Sequence, residues 1–373
     1  MIVYIAWCCF LAVCYVLLVL RYLLDWNRME AWEIPNDFIP STSITVLIPA
    51  RNESAHIETC LQSILSNSYP IHLLQIIVID DHSTDDTATL ALQYRNSGVE
   101  VLYLKDYLDG LGIATLAYKK SAIEYGISKA KGELMVATDG DCRVSRDWLG
   151  LLASYYERYE PVFIAAPVCL EHTGSSFQRF QALDFVGMMG VTGAGIEGGY
   201  NYMCNGANLA YRKDVFYAVG GFEGINAQAS GDDMLLMQKI ATMYPSRIGF
   251  LKNMGASTFT AVKPSMGAFF SQRLRWASKS TKYQKRITTV QLALVLFLCC
   301  TIVLNVALSV LDIRFLWLFV FQVLAKSIVD YCFLGRMALF FKRSDLMRGY
   351  WLSQVYHVCY IVLVGGLSNV LKK

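Results

Sequence analysis

Four stretches of the chain are apolar for long enough to cross a bilayer, and the region between the first and second is patterned like a water-soluble fold. Residues 1–24 are almost wholly apolar, with Arg21 near their end. About 20 apolar residues rising 1.5 Å each match a hydrocarbon core of roughly 30 Å. Residues 291–311 form a mostly apolar run without a charged residue, 315–334 one interrupted by Gln322, Lys326 and Asp330, and 350–371 another. Residues 42–263 alternate short apolar runs with amphipathic ones. Strands are predicted at 44–48, 75–79, 99–104 and 133–137, and helices at 55–65 and 117–129. A further helix is expected after Ser83, read as an N-cap with Asp86 as its capping-box acid. This alternation predicts an α/β fold with a mostly parallel sheet and flanking helices. In such sheets ligands bind beyond the carboxyl ends of the strands.

Loop charge assigns a side to each span. Arg21 and Arg28 follow the first span, and Lys279, Lys282, Lys285 and Arg286 precede the second. Arg336, Lys342, Arg343 and Arg348 lie between the third and fourth, whereas the link at 312–314 is neutral. Positive loops stay inside, so the central region is expected in the cytoplasm. A cleaved signal peptide would carry its positive charge ahead of the apolar run. Here the charge follows, within Asp25, Trp26, Asn27 and Arg28, and the segment reads as an uncleaved anchor. The expected organisation is an N-terminal transmembrane helix (1–24), a linker (25–42), a cytoplasmic domain (43–263), an amphipathic interfacial segment (264–287) and three C-terminal transmembrane helices (288–373).

Composition agrees with an integral membrane protein. Hydrophobic residues make up 55% and charged residues 17%, against about 25% charged in ordinary soluble domains. The net charge of +3 is too small to form a nucleic-acid footprint by itself, so no nucleic-acid partner is expected. The 11 cysteines form no paired CxxC motif or Cys/His cluster. They read as small hydrophobes, without a disulfide framework or zinc site. Only Asp312, Asp330 and Asp345 lie beyond Asp233 among the acids, while Lys and Arg recur throughout, and such a basic segment before a span attracts headgroups or phosphates.

The remaining acids gather where strands end. Strand 75–79 runs into Asp80 and Asp81, and strand 133–137 into Thr138, Asp139, Gly140 and Asp141. Two carboxylates flanking a glycine offer hard oxygen ligands in a tight turn, suited to Mg2+ or Mn2+ holding a diphosphate. Alone, such a triplet is more often a solvated turn. Gly231, Asp232 and Asp233 precede an apolar helical pattern at 234–240. That reads either as an acidic helix N-terminus or as a carboxylate placed to act as a general base. At 266–282, Met266, Phe269, Phe270, Leu274, Trp276 and Ala277 share one helical face, with Arg275, Lys279 and Lys282 opposite. This describes a helix lying in the membrane interface, with Arg273 breaking its apolar stripe.

In their order along the chain, these motifs resemble the family-2 glycosyltransferases, which use nucleotide-diphospho-sugar donors on a GT-A fold. Pro49-Ala50-Arg51-Asn52-Glu53 is similar to the family's first-strand motif, and Asp80-Asp81-His82-Ser83-Thr84-Asp85 to its second-strand signature. Lys119 matches the lysine before the third helix, and Asp139-Gly140-Asp141 the metal triplet. Asn205-Gly206-Ala207-Asn208 with Gly220-Gly221-Phe222 resembles the acceptor-side stretch. Asp232-Asp233 stands where the family usually has Glu-Asp, and Gln272-Arg273-Leu274-Arg275-Trp276 matches the QxxRW motif of membrane-integrated members. The resemblance covers 43–276 and the transmembrane tail.

It implies a GT-A nucleotide-diphospho-sugar transferase domain with a mixed, mostly parallel sheet, plus transmembrane α-helices. Asp233 is the implied catalytic base of an inverting transfer. Pro49, Arg51, Glu53, Asp80, Lys119, Asp139 and Arg275 are implied donor-site residues, with Asp80 at the nucleotide base and Lys119 and Arg275 near the diphosphate. Asn205, Gly206, Asn208, Asp232, Gln272, Arg273 and Trp276 fall on the acceptor side. Asp141, with Asp139, is the implied ligand of Mg2+ or Mn2+. Asp232 in place of Glu shortens a carboxylate beside the base.

The expected partners are a nucleotide-diphospho-sugar, a UDP-sugar first with GDP as the other carrier, and a lipid acceptor at the membrane. Four spans are few for threading a growing polymer, so single transfer is expected before processive polysaccharide synthesis. An inactive scaffold is disfavoured by the intact Asp80, Asp141, Asp233 and QxxRW set, and a transporter by the absence of internal repeats in the spans. Lys326 and Asp330 share a helical face with Gln322 one turn earlier. They either lock the helices together or line the acceptor's path. His357 reads as a packing or interfacial residue.

Overall fold

The first helix, α1 (Ile2–Arg28), continues past the apolar stretch that predicts it. Its last turns carry Asp25, buried and paired with Arg21 at 2.6 Å, a four-residue spacing that places both side chains on one face. The computed structural model describes residues 1–373 except 113–116, 173, 201, 227–230, 279–285 and 371–373, and except the side chains of 368–370. Lys279, Lys282 and Lys285 of the basic loop therefore lie outside the described residues. The chain divides into two units. One is Met29–Cys169 with Tyr202–Thr260; the other is Met1–Arg28 with Leu170–Asn201 and Ala261–Lys373. Most of the segment expected as a linker thus belongs to the first unit. Trp32 ties it down, its amide donating to the Lys252 carbonyl at 3.2 Å and its indole to Ser154 at 3.0 Å.

In the first unit, β1 (Ile44–Ala50) is buried at every position but Pro49. Strands covered on both faces read as unbroken apolar runs, which is why the sequence announces this one. It is followed by α2 (Ile57–Leu65), β2 (Leu74–Asp80), α3 (Thr87–Leu92), β3 (Val99–Tyr103), α4 (Leu104–Leu111), α5 (Tyr118–Lys129) and β4 (Leu134–Ala137). Then come β5 (Arg143–Val144), α6 (Trp148–Tyr159), β6 (Phe163–Ala165) and β7 (Val168–Glu171). After α7 (Ser176–Glu197), which clusters with the second unit, follow β8 (Leu209–Arg212), α8 (Lys213–Ala218), α9 (Met234–Met243), β9 (Ile248–Phe250) and β10 (Thr258–Ala261).

Seven strands form one sheet in the order β3-β2-β1-β4-β8-β6-β9, and β5-β10-β7 form a second. In the large sheet every neighbouring pair is parallel except those of β8, which runs antiparallel to β4 and β6. This is the mixed, mostly parallel α/β sheet the sequence predicts. Helix α2 covers it with Ile57, Cys60, Leu61 and Ile64, the i, i+3, i+4, i+7 stripe of a core-facing helix, in one cluster with Val46, Ile48 and Val78. Each of the Ile, Leu and Val side chains among them contributes about 1.5–3 kcal/mol when fully buried. One expectation fails locally. Helix α3 starts at Thr87 with Asp86 at its N-cap, and Ser83 does not cap it. His82, at φ 57°, turns the chain so that the Ser83 hydroxyl accepts from the Asn52 amide at 3.0 Å instead.

The second unit adds α10 (Met266–Ala277), α11 (Arg286–Leu308), α12 (Ile313–Phe340) and α13 (Tyr350–Val370). The four segments Ile2–Arg28, Arg286–Leu308, Ile313–Phe340 and Ser344–Leu367 are long and apolar enough to cross a membrane. Helix α7 packs along α1, α12 and α13. Its Gly190 lets α12 close in, since a Cβ there would stand 2.8 Å from the Phe333 ring.

Polar side chains join these helices from inside. Lys326 donates to Asp330 at 2.5 Å and to Gln354 at 2.6 Å, and the Tyr15 hydroxyl donates to Asp330 at 2.7 Å. Lys326 is 2% exposed and Asp330 7%. Near them, Gln322 donates to Thr301 at 3.0 Å and accepts from Asn305 at 2.9 Å. With its groups engaged between helices, the Lys326–Asp330 pair reads as a lock, and the acceptor-path reading finds no support. Asp330→Ala is expected to lower the thermal stability of detergent-solubilised protein, because breaking a buried pair costs about 3–5 kcal/mol. Lys326→Met with Asp330→Leu should recover most of it. An unchanged melting curve for Asp330→Ala would refute the lock. His357 lies against Tyr360 with ring centroids 5.4 Å apart, a packing position.

Candidate active site

The site is built on the carboxyl edge of the large sheet. Ala50 of β1 pairs with Asp80 of β2, so both strands deliver their loops at the same level. The loops are laced together. The Asp81 amide donates to the Ala50 carbonyl at 2.8 Å, and the Thr84 amide to the Asn52 side chain at 2.8 Å. Asn52 makes this turn at φ 56°, a left-handed conformation that Asn tolerates. Asp85 accepts from the amides of Ser54 and Thr87, each at 3.1 Å. Hydrogen bonds from Thr87 and Ser54 hold its carboxyl well below the usual carboxylate range.

Asp80 is 7% exposed. Its Oδ2 accepts from the Ser83 amide at 3.3 Å, while its buried Oδ1 has no hydrogen-bond partner. A buried acceptor left in this state suits a ligand that brings an N–H donor. Arg51 is exposed, its guanidinium 6.0 Å over the Tyr118 ring, and His82 meets the same ring at 5.1 Å. The Glu53 amide donates to Thr87 at 2.7 Å. Its side chain leaves little room at Gly140, where a Cβ would lie 3.3 Å from Glu53 Cγ and 3.2 Å from Ala50 Cβ. A glycine between the two aspartates thus lets the β4 loop press against the β1 loop.

Beyond β4, Lys119 at the start of α5 donates to Asp139 at 2.6 Å and lies 3.5 Å from Asp232. Burial alone would lower the lysine pKa, but the Asp139 and Asp232 carboxylates outweigh it and hold it above its ordinary value. The Asp233 carboxylate accepts from the Gly206 amide at 3.1 Å and from the Met234 amide at 2.7 Å, capping α9. A Cβ on Gly206 would stand 3.4–3.6 Å from Lys119 Nζ, Asp232 Oδ2 and Asp233 Cβ. Pro49, Lys119, Gly206, Asp232 and Asp233 therefore line one narrow cleft, with Leu236 at its side.

Asp141 accepts from the Thr260 hydroxyl of β10 at 3.2 Å. Among the described residues no group of three His, Cys, Asp or Glu side chains could hold a metal by itself. Asp139 and Asp141 supply two carboxylates, the donor set that Mg2+ uses when substrate phosphates complete its shell. The residues fit a cation shared with a diphosphate.

Other predicted residues fall elsewhere. Asn208 is fully buried and does not face the cleft. Its amide donates to the carbonyls of Pro167 at 2.6 Å and Ala256 at 2.7 Å, and its oxygen accepts from the Trp148 indole at 2.9 Å. It is a core residue whose groups are already satisfied, which corrects its acceptor-side assignment. Asn205 uses its side-chain oxygen on the Ala207 amide at 2.9 Å, shaping the turn that presents Gly206. Gln272, Arg273, Arg275 and Trp276 sit on α10 in the second unit, with Arg275 exposed, Gln272 and Trp276 half-buried and Arg273 buried. Arg273 is not an open acceptor contact: it pairs with Asp184 at 2.7 Å. Tyr118 and Thr260 were not foreseen. Tyr118 was detectable only as the neighbour of Lys119, and Thr260 carried no signal.

The sheet order and the cleft at its carboxyl edge define a GT-A-type fold. The Pyrobaculum calidifontis mannosyltransferase PcManGT, solved in complex with GDP-Man and Mn2+, superposes with a TM-score of 0.61 over 97% of this chain and 99% of that one, at 18% identity. Residues 135–364 match the group described as Glycosyl transferase family group 2, and residues 45–220 match Glycosyl transferase family 2. The chain belongs to glycosyltransferase family 2. Among its relatives, glycosyltransferase AglE of Haloferax volcanii is 30% identical over 108 residues, 28% of this chain and 33% of that protein. The 4,4'-diaponeurosporenoate glycosyltransferase of Staphylococcus aureus is 28% identical over 190 residues, 49% of this chain and 48% of that protein. The matches thus span half or less of these curated relatives' length.

Proposed function

We propose that this chain moves a sugar, with inversion, from a nucleotide-diphospho-sugar to a membrane lipid on the cytoplasmic side, with a UDP-sugar as the first donor to test. The observation that carries this reading is the meeting of Lys119, Asp139, Asp232 and Asp233 around Gly206 at the carboxyl edge of the sheet. The acceptor hydroxyl attacks the anomeric carbon, the bond from that carbon to the diphosphate oxygen breaks, and the nucleoside diphosphate leaves with the electron pair. Asp233 takes the hydroxyl proton. Its two amide hydrogen bonds, from Gly206 and Met234, fix the carboxylate in place for that transfer. Direct attack by the hydroxyl from the face opposite the leaving group gives inversion.

Asp80 offers its unpartnered oxygen to the nucleotide base, with Arg51 and Glu53 beside it. Lys119, cationic throughout the neutral range, faces the diphosphate, and the family motif assigns Arg275 to the same group and Trp276 to the acceptor entrance. Asp141 and Asp139 would hold Mg2+ or Mn2+, which when bound neutralises charge on the leaving group. The Mn2+ and GDP-Man of the P. calidifontis complex put the same two ligand classes on the same fold. The S. aureus relative is named for transfer to 4,4'-diaponeurosporenoate, and a membrane-resident acceptor goes with the four apolar helices here.

The test is turnover by purified protein in detergent with Mg2+ or Mn2+, a panel of UDP- and GDP-sugars, and a total lipid extract. The expected result is metal-dependent nucleotide release and one glycolipid. A ladder of products would replace single transfer by processive synthesis, and no turnover by folded protein with any donor would overturn the reading. Metal binding gives a separate expectation. Two carboxylates alone bind Mn2+ weakly, so calorimetry with UDP present should show affinity at least about tenfold tighter than without it. Equal affinity would mean that a diphosphate does not complete the site.

A further inference from the structure

In the second unit, α10 is held by a buried ion pair that no motif predicts. Arg273 and Asp184 of α7 are joined at 2.7 Å, with side chains 5% and 6% exposed. The Tyr360 hydroxyl of α13 donates to the same carboxylate at 3.2 Å. The Arg273 guanidinium lies over three rings, 4.7 Å from the Trp276 centroid, 4.9 Å from Phe269 and 5.7 Å from Tyr360. Phe185, one residue after Asp184, lies with its ring centroid 6.4 Å from that of Trp276. A buried charge pair is costly unless its geometry is good and its remaining groups are satisfied. Simple anchoring of an amphipathic helix would not require one, since apolar residues of similar volume would serve.

We infer that Asp184 is a positioning residue: through Arg273 it fixes the plane and place of the Trp276 ring, and thereby the acceptor entrance. The chain of contact is direct. The carboxylate orients the guanidinium, the guanidinium covers one face of the indole, and Tyr360 holds the carboxylate from α13. The inference rests on the reading of Trp276 as an acceptor-side residue. It adds Asp184 and Tyr360, which lie 92 residues before and 84 after Trp276 in the sequence.

The experiment combines two readouts on the full-length protein in detergent. The seven tryptophans are labelled as 5-fluorotryptophan, and the Trp276 fluorine resonance is identified by its loss in Trp276→Phe. Asp184→Asn is expected to shift or broaden that resonance and leave those of the other unit in place. In the lipid-extract assay it should lower transfer at limiting acceptor by about 10- to 100-fold, the scale of a misplaced substrate-positioning group, with the donor KM unchanged. In a Trp276→Ala background the same substitution should cost less than about threefold, because both changes remove one interaction. If Asp184→Asn fails to fold, Tyr360→Phe removes only the hydroxyl and should move the same resonance to a smaller extent. A Trp276 resonance that neither variant moves would overturn the inference, as would activity losses that add in the double variant. If Trp276→Ala transfers normally, the acceptor-side reading itself fails, and the fluorine spectrum still reports whether the contact exists.

Discussion

Asparagine at position 233 is expected to lower sugar transfer by about 10³-fold while nucleotide affinity stays within about threefold of wild type. The substitution keeps the shape of the side chain and removes its ability to accept a proton. It also changes the local hydrogen bonding in a calculable way. The carboxylate accepts from the Gly206 amide on one oxygen and from the Met234 amide on the other. An asparagine has a single acceptor oxygen, so one of these amides loses its partner, at about 1–3 kcal/mol. If that amide is Met234, α9 frays at its first turn; if it is Gly206, the loop that presents Gly206 loosens. Thermal unfolding of the variant therefore has to accompany the rate measurement. Single-turnover transfer and UDP calorimetry on the same preparation separate the two effects. Retained transfer in folded Asp233→Asn would remove Asp233 from the chemical step and leave it as the cap of α9.

How far the sequence was legible depended on how much local signal each residue carried. Strands β1, β2 and β4 were readable because burial on both faces demands an unbroken apolar run, and two of those runs end in aspartates. Strands β6, β8 and β9 have three or four residues each and were not predicted. Runs that short carry no period, and their pairing with one another is non-local. Helix α7 was missed as well: Gly187, Gly190, Gly193 and Gly195 lower its intrinsic helix preference, and close packing restores it. Ser83 and Asp86 had the capping-box spacing, but the left-handed turn at His82 gave the serine another task.

Motif position likewise put Asn208 on the acceptor side with Gly206 and could not tell that its side chain points into the core towards Trp148. Arg273 stood out as a charge in an apolar stripe, yet its partner Asp184 lies 89 residues away and no periodicity links them. The cleft was legible where function concentrates charge, and illegible where a polar residue serves packing.

Lys119→Met carries the other large expectation: UDP affinity falls by about 10- to 100-fold, the weight of a charge-assisted hydrogen bond to the diphosphate. The lysine offsets Asp139 at 2.6 Å and Asp232 at 3.5 Å. Without it these carboxylates and nearby Asp233 confront the anionic diphosphate without the ammonium that offsets them. The loss should be the same across about pH 6 to 9. The lysine pKa is raised by its two carboxylate neighbours. A raised pKa in the folded state means that the stabilisation is complete below the ordinary lysine value near 10.4 and fades only as pH climbs through the raised one. Lys119→Arg should restore only part of the affinity, because a planar fork replaces a compact ammonium between two closely placed acids. Because both partners of the Lys119–Asp139 pair are about one-third exposed, solvent screens the pair and the melting temperature should move little. Affinity and stability therefore separate in this variant. Calorimetric titration of UDP at several pH values reads the first, and thermal unfolding the second. If Lys119→Met bound UDP as wild type does but melted far lower, the lysine would belong to the scaffold of the cleft, and the diphosphate would depend on Arg275 and the metal for its charge.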